Sequence, residues 1–168
     1  YDAVDYLYNN GIMNGTTDTL FSPNAELTRA MVVTILYRAQ GKPAVSTSGS
    51  FKDVAAGRYY TEAVEWAAAN NIVKGFTDGT FKPDEPVTRE QLAAILYRYA
   101  IYRGMTAVTL ENNLGGFADA AQISAYAVPA MNWAVGKGLL NGADGLLMPK
   151  AQASRAQVAA IIHRYLEG

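Results

Sequence analysis

Between residues 4 and 12 the apolar side chains Val4, Leu7, Tyr8 and Ile12 fall at offsets of 0, 3, 4 and 8, a stripe along one face of a helix. The asparagines and glycine of "NNG" at residues 9–11 predict the end of that helix. A second helix is predicted to start at Thr28, whose hydroxyl can accept from a first-turn backbone N–H. Inside it, Val32, Val33, Ile35 and Leu36 make the helix apolar over a wide face. The same two patterns return twice. Aligning Arg29, Arg89 and Arg155 brings Leu92, Ala93, Ile95 and Leu96, then Val158, Ala159, Ile161 and Ile162, onto those positions, with Thr88 and Ser154 as the caps. It also sets "AVEW" at 63–66 and "AMNW" at 130–133 opposite "AVDY" at 3–6. The arginines are 60 and 66 residues apart, so the repeating unit is about sixty residues long.

Between its two helices each unit carries a glycine nine residues after the aromatic of that first helix: Gly15, Gly75 and Gly142. A proline follows at Pro23, Pro83 or Pro149, two residues after Phe21, Phe81 or Leu147, where it fixes the chain direction while the apolar residue anchors the loop. A helix apolar over so wide a face is not stable alone and must be buried against its equivalents. The prediction is therefore an all-α fold, three helix-loop-helix repeats in a pseudo-threefold arrangement around a central three-helix bundle, with clefts where neighbouring units meet. The expected units span 1–43, 51–104 and 117–168 and form one compact domain, joined by a Ser-rich connector at 42–50 and a polar one at 105–116. Units two and three open on matching lead-ins, "FKDV" at 51–54 and "FADA" at 117–120. The first has none, and the expectation is that the natural protein begins earlier or that its first unit is cut short.

Composition narrows the function. Fourteen Lys+Arg against fifteen Asp+Glu, with no basic run, argue against a nucleic-acid partner. There is no cysteine and only one histidine, His163, which excludes thiol chemistry, disulfides and multi-histidine metal sites; no cofactor and no metal are expected. His163 replaces Tyr37 and Tyr97 of the other units and reads as a packing residue. The "DGT" at 78–80 lacks the rest of a calcium-loop spacing. No apolar run reaches the ~20 residues that cross a bilayer, so no membrane insertion is expected. No carboxylate pair recurs outside the lead-ins and loops, and catalysis usually needs one differentiated site rather than a repeated one.

The arginines are the unusual feature. A cation directly after an N-cap faces the positive end of the helix dipole, unfavourable by roughly 0.3–1 kcal/mol when exposed. Two compensations are open: a bound anion between guanidinium and free first-turn N–H groups, or an internal salt bridge to Asp53, Asp78 or Asp119. Tyr6, Trp66 and Trp133 share one repeat position and can either stack on a sugar or pack in the core. Gly15, Gly75 and Gly142 allow close approach of backbone to ligand or simply end a helix. A second arginine recurs nine residues later, at Arg38, Arg98 and Arg164; about 900° of helix rotation puts it on the opposite side, and it reads as structural.

These repeats resemble the S-layer homology family, whose units carry a Phe-x-Asp-Val lead-in, an aromatic-bearing helix, an "NGYPDGTFRPN"-like loop and an "ITRAE" helix start. Repeat 2, with "FKDV" and "AVEWAAANNIVKGFTDGTFKPDEPVTRE", is the closest match, and the resemblance covers essentially the whole chain. It implies a non-enzymatic module of an exported bacterial protein, extracellular at the cell wall or S-layer. The module would anchor its protein non-covalently to secondary polysaccharides attached to peptidoglycan, with pyruvylated N-acetylmannosamine as the typical ligand unit. On that resemblance Arg29, Arg89 and Arg155 hold the glycan carboxylate, and Tyr6, Trp66 and Trp133 stack on the sugar or wall the groove. Gly15, Gly75, Gly142, Thr28, Thr88 and Ser154 form groove backbone and helix caps, and Asp53, Asp78 or Asp119 orient the arginines. The module is expected to be monomeric. The rival reading is a protein-interaction or lattice-assembly module using the same grooves. Three departures stand out. The family's capping glutamate is Met31, Gln91 and Gln157, so repeat 1 keeps half of its capping box; Thr19 replaces the loop glycine of Gly79 and Gly145; repeat 3 is one loop residue shorter.

Overall fold

The computed structural model describes residues 2–15, 21–106 and 111–168; Thr19 and part of the second connector lie outside them. The described residues form six α-helices and no strand, the all-α class expected. They are α1 (Asp2–Asn9), α2 (Arg29–Ala39), α3 (Thr61–Ala69), α4 (Arg89–Tyr102), α5 (Val128–Gly136) and α6 (Arg155–Glu167). The second helix of each unit begins at its arginine. Thr88 and Ser154 form complete capping boxes with Gln91 and Gln157, whereas Thr28 accepts from the Met31 N–H and receives nothing back. In α1 the periodicity runs past the helix: Leu7 is fully buried, Tyr8 is exposed, and Ile12 joins the core from the turn that follows. Gly11, at φ 66°, and the Asn10 side chain, donating to the Tyr6 carbonyl, close that helix.

Packing passes from unit to unit. The first helix of each repeat lies on the second helix of another, α3 on α2, α5 on α4 and α1 on α6, and α2 also touches α4. The segments before the second helices bond to one another in a closed circuit: the Leu27 N–H donates to the Ala153 carbonyl, Ala153 N–H to Val87, and Val87 N–H back to Leu27, at 3.3, 2.9 and 2.8 Å. The side chains of these three residues are buried. Backbone donors that would face an apolar interior unpaired are thus satisfied by the neighbouring units. No described helix is long and apolar enough to cross a membrane.

Candidate functional site

Each helix start is docked into the loop of another unit. At α2, the N–H groups of Arg29 and Ala30 donate to the carbonyls of Glu85 and Pro83 at 2.9 and 3.0 Å. At α4, Arg89 and Glu90 donate to Ala151 and Pro149; at α6, Arg155 and Ala156 donate to Ala25 and Pro23. The expectation of free first-turn N–H groups awaiting an anion is therefore corrected. Proline breaks the loop just where its carbonyls turn toward a foreign helix end, and those carbonyls already meet the dipole.

The arginine side chains follow their backbones. Arg29 Nε donates to the Phe81 carbonyl at 2.9 Å, Arg89 Nε to Leu147 at 2.8 Å and Arg155 Nε to Phe21 at 2.8 Å. All three are 6–7 % exposed, and burial lowers the pKa of each from the ordinary arginine value. A guanidinium nevertheless stays charged in a protein. Among the described residues none of the three makes a salt bridge. Arg89 and Arg155 also donate through Nη2 to the Asn141 and Asn14 carbonyls. Arg29 lies instead between the rings of Phe76 and Phe81, 4.8 Å from each centroid, and neither of its Nη atoms has a protein acceptor among the described residues or is sealed from solvent.

Asp53 and Asp119 act on the arginines through the loop rather than by contact. Asp53 accepts from the N–H groups of Phe81 and Lys82, both at 2.8 Å, and Asp119 from those of Leu147 and Met148 at 2.8 and 2.7 Å. Lys82 and Met148 have φ of 57° and 52°, a left-handed conformation that the two carboxylate oxygens hold in place. The peptide carbonyls of Phe81 and Leu147 are those the arginines grip. Backbone donation from Leu147 holds the Asp119 carboxyl below the usual carboxylate range, against the upward pull of burial. Asp78 is exposed and accepts from the N–H and hydroxyl of Thr80, a local turn that also lowers its pKa.

Three grooves result, each drawing on more than one repeat. The largest, about 340 Å³, is lined by Arg29, Gly75, Phe76, Gln91, Arg98 and Tyr126. Its counterpart of about 280 Å³ carries Arg155, Asn14, Gly15, Met31, Arg38 and Tyr59. The third, about 230 Å³, carries Arg89, Asn141, Gln157, Ile161 and Arg164. Every groove pairs a first arginine with the second arginine of a different repeat, and nine-residue spacing explains why. The two arginines of one helix face opposite sides, so each helix serves two grooves. Burial lowers the pKa of Arg98 as well. Two cations suit a carboxylate, and in the Arg29 and Arg155 grooves an aromatic beside them suits a sugar ring.

The second arginines, expected to be structural, line the grooves, and so do Tyr59 and Tyr126, which the sequence reading does not single out. They are 59 % and 53 % exposed, and each stands four residues before the alanine of "AVEW" or "AMNW", a signal the repeat alignment contained. Tyr6, Trp66 and Trp133 line none of these grooves. Trp66 is 2 % exposed and packed among Tyr37, Tyr99 and Tyr102; Trp133 meets Tyr97 and Tyr165; Tyr6 is partly exposed, edge-on to His163 at 4.7 Å. Sugar stacking on Trp66 would require that packing to open. Gly75 lies well beyond the end of α3 and is needed for close approach within the protein: an added Cβ would sit 2.4 Å from the Phe51 ring and 2.6 Å from the Thr80 carbonyl. Gly142 meets Phe117 and the Leu146 carbonyl in the same way. Thr28, Thr88 and Ser154 serve as caps outside the grooves.

Fold and grooves together define a closed helical repeat module with ligand-sized, doubly cationic clefts between its units. The S-layer homology domain matches at residues 1–30, 50–93 and 116–159, and the chain belongs to that family. Along 99 % of its length it is 35 % identical to an amylopullulanase of Thermoanaerobacterium thermosulfurigenes and 29 % identical to the surface-layer 125 kDa protein of Lysinibacillus sphaericus. Over 92 % of its length it is 28 % identical to a cellulosome-anchoring protein of Acetivibrio thermocellus. The chain spans 9 %, 14 % and 35 % of these relatives. Family and relatives place the chain at the bacterial cell surface.

Proposed function

We propose that the chain is a non-catalytic module that anchors a larger exported protein to the cell wall by binding an anionic, pyruvylated secondary polysaccharide in its inter-repeat grooves. Repeats spanning 1–43, 51–104 and 117–168, set about a pseudo-threefold axis around their second helices, would present the grooves as a monomer. The observation that carries the reading is the arginine pair in every groove, Arg29 with Arg98, Arg155 with Arg38 and Arg89 with Arg164, one member of each held by a loop carbonyl. The first arginine is fixed and keeps donors to spare; the second completes a two-cation clamp for a carboxylate. Tyr59 and Tyr126 supply an exposed ring for the sugar face, the part first assigned to Tyr6, Trp66 and Trp133. The anchoring role of the Acetivibrio relative supports the direction of the reading. Linked grooves on one polymer raise the effective concentration and so the overall avidity.

The test is co-sedimentation with purified wall sacculi, before and after acid removal of the polysaccharide and its ketal. Pelleting should be lost after acid treatment, and Arg98→Ala, which leaves the loop-docked arginines in place, should weaken it. Equal pelleting in both cases sinks the reading. Concentration-dependent assembly without glycan would instead favour the lattice-forming alternative.

A further inference from the structure

One cavity among the described residues is larger than any of these grooves. About 460 Å³ in volume, it opens at the C-terminal ends of α4, α5 and α6, and its wall carries Arg103, Lys137, Arg164, Trp133, Tyr165 and Met105. No carboxylate side chain lines it, and Gly168, the last residue of the sequence, also stands in its wall. Arg103 and Lys137 cap α4 and α5, and Arg164 stands in the last turn of α6, so each cation alone is accounted for by a helix dipole. Their convergence on one cavity is not: three like charges around a shared space repel one another and draw an anion into it.

The repeat pattern does not account for it either. At the corresponding junction of α2 with α3, the positions of Arg103 and Lys137 hold Pro43 and Asn70, and the Tyr99 hydroxyl closes the space by donating to Gln40 at 3.0 Å. The cavity at that junction has cations of its own, Arg38, Lys42 and Arg58, but they share it with the Glu62 carboxylate, which the α4–α5 junction does not match. Arg164, which donates to the Leu139 carbonyl at 3.4 Å, lines with Leu139 both this cavity and the Arg89 groove, so the two spaces share a wall.

We propose that this cavity is a separate subsite for an acidic hexose unit, its carboxylate or phosphate held by Arg103, Lys137 and Arg164 and its ring set against Tyr165 and Trp133. It rests on the glycan reading only for the source of that unit, and the two can fail independently.

The chain has two tryptophans, and only Trp133 lines the cavity, so the two indole N–H signals in a nitrogen-correlated NMR spectrum separate cavity from background. Titration with glucuronate or with glucose 6-phosphate is expected to move the Trp133 signal saturably and leave Trp66 in place. Glucose, and sodium chloride at matched ionic strength, should move neither. The two acids also tell a carboxylate site from a phosphate site. Arg103 and Lys137 are exposed, so Arg103→Gln combined with Lys137→Gln should fold normally and weaken the response at least about tenfold. A Trp133 signal indifferent to both acids, or one that responds equally in the double variant, overturns the subsite. Loss of sacculus binding in Arg98→Ala with the Trp133 response intact leaves the groove reading standing beside it. A Trp133 response without any sacculus binding by the unaltered protein removes the wall reading and keeps the subsite.

Discussion

The Arg29 and Arg89 grooves arise from equivalent repeat positions, yet they offer a ligand different things. Arg29 is bound by one carbonyl, flanked by two phenylalanine rings and faced by Tyr126. Arg89 is bound by two carbonyls, Ala143 stands where Phe76 does, and no tyrosine lines the cleft. The repeated arginine thus fixes where a groove is, while its unrepeated neighbours decide how many donors and how much aromatic surface are left for a ligand. A guanidinium already donating to two carbonyls has given up part of its fork; one braced by rings has not.

The comparison can be broken most forcefully at the glycines behind the grooves. Gly75→Ala should destabilise the fold by about 3 kcal/mol, since the methyl meets a ring and a backbone oxygen and φ is positive at 67°. Gly142→Ala meets the same obstacles without the left-handed backbone and should cost about 1 kcal/mol less. Calorimetric melting decides between them, and equal losses would show that Phe51 and Phe117 yield easily. Next in size, Arg29→Ala should cost about 2 kcal/mol through one buried hydrogen bond and two ring contacts, again read by melting.

Smaller effects sharpen the contrast. Tyr126→Ala should leave stability within about 0.5 kcal/mol and weaken sacculus binding about fivefold, because the ring is exposed and lines only the Arg29 groove among the three. Unchanged binding would remove tyrosine from the recognition surface. Asp119 gives a pH signature on the side of the Arg89 groove. Its folded pKa is depressed, so its contribution is fully present above the unfolded value of about 4 and is lost as pH falls through the folded value. Asp119→Asn should therefore lower stability at neutral pH and flatten the fall in stability on acidification, followed by denaturant titration across pH. The smallest change is Met31→Gln, which completes the capping box of α2 and should add about 0.5 kcal/mol.

The helices and caps were legible because both depend on neighbours three or four residues away. Thr88 with Gln91, Ser154 with Gln157 and the half box of Thr28 could be read directly from spacing. The loop aspartates could not. Asp53 reaches Phe81 across 28 residues, and its effect on Arg29 passes through a peptide group that belongs to neither. The second arginines were placed correctly on the far side of their helices, but that side proved to be the wall of another groove. Trp66 and Tyr126 show the same limit. Repetition marked the tryptophan position as significant without saying that it faces inward, and the exposed tyrosines stood in the alignment unremarked.

One consequence concerns copy number. A linear array of repeats can gain or lose a unit at either end by duplication, since each unit touches only those before and after it. Here the circuit through Leu27, Val87 and Ala153 leaves no backbone donor or acceptor of that set unclaimed. A fourth copy could enter only by breaking an existing bond, and removing one copy breaks two of the three. Duplication of a single repeat therefore has to reopen the circuit, whereas an added triplet can leave it intact.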